Sequence, residues 1–187
     1  DPSTRLSIVI PCYNEESVLP LLYDRLEPLI RKWGMNTEVI VVDDGSVDRT
    51  WEILCEFRRR DPRWKLIRFA RNFGHQTALR AGLRGSDGDL VAVLDADLQD
   101  PPEVLPDFFQ KWIEGYDVIY GVRRARPEGL LKRSAYYSFY RVLSFLAEDD
   151  IPLDTGDFSV MDRGIVRLLN RMPERKPFIR EIGRAHV

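Results

Sequence analysis

The sequence predicts an α/β fold, a mainly parallel sheet with helices on both faces. Three observations carry that prediction. Strand-like and helix-like segments alternate through short links, the pattern that makes parallel strands with helical crossovers the economical solution. The strand-like runs are short and rich in β-branched residues, buried strands by length and composition. Polar clusters follow those runs directly, at the edge where such sheets bind ligands.

Each element can be justified in turn. "LSIVIP" (6–11) is the first strand. After the loop "CYNEES", Val18, Leu22, Leu26, Leu29 and Trp33 recur at helical spacing, and Gly34 offers a stop. "EVIVV" (38–42) is the second strand. Ser46 can cap the next helix, whose inner face would be Trp51, Leu54, Cys55 and Phe57. "KLIRFA" (65–70) is the third strand, and "HQTALRAGLRG" (75–85) a short helix ending at Gly85. "LVAVL" (90–94) is the fourth strand, "PEVLPDFFQKWIEG" (102–115) a helix opened by prolines, and "DVIYG" (117–121) the fifth strand.

The 187 residues suit one domain with a real core. A net charge of −2 gives no global attraction to nucleic acid, and Arg58, Arg59 and Arg60 read as the end of a solvated helix. Cys12 and Cys55 lie in core-like segments and read as reduced thiols, which suits a cytosolic compartment. The two histidines stand apart, and no cysteine or histidine spacing suggests a metal site. No signal peptide is seen, and no apolar run reaches the roughly 18 residues that span a bilayer. The last seven residues, "EIGRAHV", fit nothing before them and resemble a translated sequencing adapter. The expectation is a domain over 1–180 with a non-native tail over 181–187.

The stretch "VAVLDADLQDPPE" carries the chemistry: an apolar strand ends in Asp95, Asp97 and Asp100. Asp100, before two prolines, reads as a cap. Asp95 and Asp97 are open to two readings, turn residues or cation ligands. Two carboxylates two residues apart beyond a buried strand raise each other's pKa unless a cation neutralises them, which puts the second reading first. Oxygens from Asp95, Asp97 and the Gln99 amide suit Mg²⁺ or Mn²⁺. A second acidic pair, Asp43 and Asp44, opens "DDGSVDRT"; it reads either as capping alone or as an acceptor for a nucleoside's imide or hydroxyls.

Together "SIVIPCYNEE", "EVIVVDDGSVDRT", "RNFGHQTALRAGL", "GDLVAVLDADLQDPPEVL", "YGVRR" and "IPLDTGDFSVMDR" resemble the family 2 glycosyltransferases of GT-A fold. The resemblance is nearest to the polyprenyl-phosphate branch, undecaprenyl-phosphate glucosyltransferases and dolichyl-phosphate mannosyltransferases, and runs from about Leu6 to Arg180. It implies inverting transfer of a hexose from a nucleotide-sugar donor, UDP-glucose-like, to a polyprenyl phosphate. Pro11, Tyr13 and Glu15 would surround base and ribose, Val42 and Asp44 would hold the base, and Asp95, Ala96 and Asp97 would flank ribose and diphosphate. Asp97 and Gln99, with Asp95, would hold Mg²⁺ or Mn²⁺. Arg123 and Arg133 match arginines placed near phosphates, and Asp157 an acidic residue near the reacting centre. Against these stand plain surface charge for the arginines and a strand-edge carboxylate balanced by Arg163 for Asp157. Ser159 stands where the family often has Arg after "GDF".

"GLLKRSAYYSFYRVLSFLAEDDIPL" (129–153) mixes tyrosines with basic residues, as interfacial helices do; the alternative is a helix packed on the sheet. With the resemblance, the expectation is a helix beside the membrane, on a catalytic domain of a longer protein at the cytoplasmic face, membrane-anchored by later helices. A homo-oligomer of that protein stays open. Acceptors other than lipid, or donor binding without turnover, remain alternatives. A nucleotidyltransferase or dinucleotide enzyme would present a glycine-rich loop after the first strand, where this chain has "PCYNEES".

Overall fold

A computed structural model describes residues 4–122 and 155–172, and of residues 122 and 155–157 the main chain alone. The chain divides into a unit of Asp1–Tyr120 with Asp157–Val187, and a second of Gly121–Gly156, in which few residues are described. Arg123, Arg133 and the segment 129–153 lie outside the described residues.

In order along the chain come β1 (Arg5–Cys12), α1 (Leu19–Trp33), β2 (Asn36–Asp43), α2 (Thr50–Arg60), β3 (Trp64–Arg68), α3 (His75–Gly85) and β4 (Leu90–Val93). A 3-10 turn (Pro102–Val104), α4 (Leu105–Ile113), β5 (Val118–Val122), β6 (Thr155–Asp162) and α5 (Arg163–Arg171) follow. The sheet order is β3-β2-β1-β4-β6-β5. β1 pairs in parallel with both β2 and β4, β2 with β3 in parallel, and β6 runs antiparallel to β4. The sheet is therefore mainly parallel, as the sequence predicts.

β1 and β2 are buried along almost their whole length, so side chains on both faces must be covered. On one face Leu6, Ile8 and Ile10 pack with Leu22 and Leu26 of α1, Leu54 of α2 and Phe108 of α4. On the other, Val9, Val91 and Val93 pack with Leu79 and Leu83 of α3 and Val166 of α5. This division follows from chain direction. The path β1 to β2 to β3 steps one way, with α1 and α2 on one face. The return from β3 to β4 steps back past β1, and a right-handed crossover then puts α3 on the opposite face. Gly82 lets α3 come close, since a Cβ there would meet Val9 Cγ1 at 2.3 Å.

Five local expectations change. The second helix starts at Thr50, and Ser46 does not cap it. Leu54 and Phe57 are its buried apolar residues, while Trp51 and Cys55 are half-buried, because α2 meets the sheet along a narrow stripe. In α1 the buried apolar stripe is Leu19, Leu22, Leu26 and Ile30, with Val18 and Leu29 at its margin; Gly34 ends the helix in the left-handed region (φ 66°) as expected. The proline-opened helix is split, and β6 and α5 are elements the periodicity reading did not anticipate. An antiparallel return strand has no helix-strand rhythm to announce it.

Candidate active site at the sheet edge

The site grows from the strand order. β1 and β4 are neighbours, yet the chain leaves β1 in one direction and β4 in the other, so the loops behind them diverge and open a crevice. A cavity of about 540 Å³ lies there, lined by Pro11, Cys12, Tyr13, Glu15, Asp44, Asn72, Gly74, His75, Ala78, Asp95, Ala96 and Asp97. Register explains the company: Cys12 pairs with Asp43 across β1 and β2, and the Leu94 amide donates to Val9 O, which brings the three polar clusters to one rim.

The loops behind β1 and β2 are laced together. The Asn14 amide donates to Ser46 Oγ (2.9 Å), and the Val47 amide donates back to Asn14 Oδ1 (3.0 Å). The Glu15 amide donates to Thr50 Oγ1 (2.8 Å), the Glu16 amide to Asp48 Oδ2 (3.2 Å), and the Arg49 amide to Glu16 Oε2 (3.0 Å). Asn14 sits at φ 55°, a left-handed position that asparagine tolerates better than most residues. These bonds occupy main-chain donors of the two loops that would otherwise be unsatisfied.

Asp44 ties in the third loop. Its Oδ1 accepts from the Phe73 amide (2.7 Å) and its Oδ2 from the Gly74 amide (2.8 Å). Gly45 turns at φ 73°, and a Cβ on it would fall 2.4 Å from Arg71 C. Only glycine lets the second and third loops touch. Asp43 is fully buried, accepts from the Ser46 amide (2.9 Å) and stands 3.3 Å from Arg68 Nε.

The fourth loop carries Asp95, half-buried, and Asp97, exposed, with Ala96 buried between them. Asp97 Oδ1 accepts from the Gln99 amide (3.0 Å), and Leu98 is held at φ 58°. That value is uncommon for leucine and stores strain in the turn that presents the carboxylates. Burial and the charges of Asp97, Asp48 and Asp95 push the Glu15 carboxyl above its ordinary value. Burial, then Asp43, Glu15, Asp48 and Asp44, push the Cys12 thiol far up, so it is no nucleophile.

The described rim is thus a pocket of crowded carboxylates, and its donor set fits a hard divalent cation. Among the described residues no three His, Cys, Asp or Glu side chains are gathered as a complete metal group. Two aspartates and an amide suit an ion that keeps positions for phosphate and water.

Of the residues singled out from sequence, Pro11, Tyr13, Glu15, Asp44, Asp95, Ala96 and Asp97 come together around the cavity. Val42 stands behind it, fully buried beside Ala78 and outside the cavity lining. Gln99 is exposed beyond the lining. Asp157 lies in β6, and its side chain is not described. Sequence reasoning passed over Asn72, Gly74 and His75, although "NFGH" follows the third strand as the other clusters follow theirs.

The chain matches the family model for glycosyl transferase family 2 over residues 7–169. It is 47% identical to the uncharacterized glycosyltransferase YkcC of Bacillus subtilis, covering 93% of this chain and 54% of that protein. It is 35% identical to the bactoprenol glucosyl transferase of Shigella phage SfV, over 95% of this chain and 58% of the relative. The chain thus spans little more than half the length of these relatives. Among solved structures, it resembles the mannosyltransferase PcManGT of Pyrobaculum calidifontis in complex with GDP-Man and Mn²⁺ (TM-score 0.60, 24% identity, 90% of this chain and 48% of that one). That likeness shows the fold, the GT-A arrangement.

Proposed function

The chain belongs to glycosyl transferase family 2, and on that premise we propose that it transfers a hexose, with inversion, from a UDP-glucose-like nucleotide-sugar to a polyprenyl phosphate. The observation that carries the reading is the convergence of Glu15, Asp44, Asp95 and Asp97 on one cavity at the reversal of strand order. The bactoprenol glucosyl transferase relative supports the lipid acceptor and the glucosyl group, and the mannosyltransferase neighbour supports a nucleotide-sugar with a divalent ion.

Asp95, Asp97 and Gln99 would hold Mg²⁺ or Mn²⁺. When bound, that ion supplies positive charge to a diphosphate that departs with extra negative charge, typically worth several kcal/mol. Pro11, Tyr13, Val42 and Asp44 would seat the base, and Arg123 a donor phosphate. The acceptor's phosphate oxygen attacks the anomeric carbon from the face opposite the leaving diphosphate, which inverts the centre. A phosphate monoester has a second pKa of about 6 and arrives mostly ionised at neutral pH, so no side chain has to remove a proton from it. Arg133 then anchors the acceptor as a bidentate cation, and Asp157 orients it.

Among the described residues no helix is long and apolar enough to cross a membrane. We place segment 129–153 at the bilayer interface, on its cytoplasmic side, where it would meet the lipid acceptor.

The test supplies UDP-glucose and undecaprenyl phosphate in detergent with Mn²⁺. Glucosyl-lipid should form, stop on addition of EDTA, and fall at least about 10²-fold in Asp97→Ala. Full turnover in EDTA, or in that variant, would overturn the metal-held donor.

A further inference from the structure

His75 opens α3 and lines the cavity, with its Nε2 3.9 Å from Asp95 Oδ1. Its neighbours around the cavity include Glu15, Asp44, Asp95 and Asp97, and among the described lining residues His75 is the one side chain that can carry positive charge. The close packing of α3 allowed by Gly82, and the grip of Asp44 on the Phe73 and Gly74 amides, hold it there. Its position is therefore set by two other elements.

The separation has a chemical meaning. At 3.9 Å the two atoms are too far apart for a direct hydrogen bond, yet one oxygen can stand at hydrogen-bond distance from both. That oxygen meets a donor on one side, the imidazole N–H, and an acceptor on the other, the carboxylate. A phosphate oxygen can accept from the imidazole but is repelled by Asp95. A hydroxyl satisfies both at once, accepting from His75 and donating to Asp95.

We propose that His75 is a specificity-determining residue that, with Asp95 across the gap, reads one hydroxyl of the donor. The inference deepens the nucleotide-sugar reading and rests on it. The hydroxyl belongs either to the ribose or to the hexose, and ligand comparison separates the two.

Dissociation constants are measured calorimetrically in Mn²⁺ for wild type, His75→Ala and His75→Gln. The ligands are UDP and GDP with their 2′- and 3′-deoxy forms, and UDP-glucose with its deoxyglucose analogues. Wild type should bind one deoxy ligand at least about tenfold more weakly than its parent, because the deoxy form loses its hydrogen bonds to both His75 and Asp95. His75→Ala should bind the parent more weakly and distinguish it from that deoxy form several-fold less than wild type does, because Asp95 is then the one partner left to the hydroxyl. His75→Gln, whose amide N–H reaches about as far as Nε2, should recover most of the discrimination. A ribose contact appears already with UDP or GDP; a hexose contact appears only among the glucose donors. Equal discrimination by wild type and His75→Ala for every pair would overturn the assignment, even if both lose affinity. Failure of wild type to bind UDP, GDP or UDP-glucose would overturn the donor reading itself, and this inference with it.

Discussion

Glu15 sits half-buried behind β1, where burial and then Asp97, Asp48 and Asp95 raise its pKa above the ordinary value of 4.5. A raised folded-state pKa means that the fold prefers the protonated acid. Its contribution to stability is complete below the unfolded pKa and is lost as pH rises through the folded one. Glu15→Gln should therefore raise the melting temperature at pH 7, and the gain should vanish in melts below about pH 4. A variant equally stable or less stable at pH 7, or one whose advantage persists at pH 3, would contradict this account. Like charges gathered at one rim lower stability, a cost that a binding site can carry.

At the scale of elements, the rim is a set of loops that hold one another. Gly45 is the point of closest approach, with φ 73° and no room for a Cβ against Arg71. Gly45→Ala should cost about 2 kcal/mol or more from backbone strain and displacement of the third loop. Urea unfolding checks the stability, and weaker UDP-glucose binding would check that Asn72 to His75 have moved. An unchanged midpoint would show that the loops part easily. The same loops mark where sequence reading stopped. Ser46 looked like a helix cap because capping is judged from residues three positions away. Its hydroxyl instead takes the Asn14 amide, 32 positions upstream. Asp44 was read as a ligand for a base, and its two oxygens also fasten the Phe73 and Gly74 amides. Neither bond leaves a local trace in the sequence.

At the scale of the molecule, stability and chemistry occupy opposite edges of the sheet. Far from the cavity, Glu38 is buried and takes hydrogen bonds from Ser7 Oγ (2.5 Å), Arg5 Nη2 (3.1 Å) and the Asp87 amide (2.9 Å), with Lys65 Nζ at 2.5 Å. Burial opposes its charge, but the hydrogen bonds from Lys65, Ser7 and Asp87 outweigh it and hold the carboxyl below the usual range. A depressed folded-state pKa stabilises above the unfolded value, and that stabilisation is lost as pH falls through the folded value. Glu38→Gln should thus lose about 2 kcal/mol at pH 7, with the difference from wild type narrowing below about pH 4. Chemical denaturation at both pH values tests it, and a constant difference would assign the loss to packing instead.

The alternation of buried runs with helix-spaced segments determined the α/β class, the positions of the first five strands, and the edge on which the polar clusters gather. Those properties depend on periodicity and chain order, which a sequence displays directly. The tertiary structure alone decided that β1 and β4 are neighbours, that β6 returns antiparallel, and that His75 stands across a gap from Asp95. Each of these depends on which strand lies beside which. That choice is made by side chains packing across the sheet, among residues far apart along the chain.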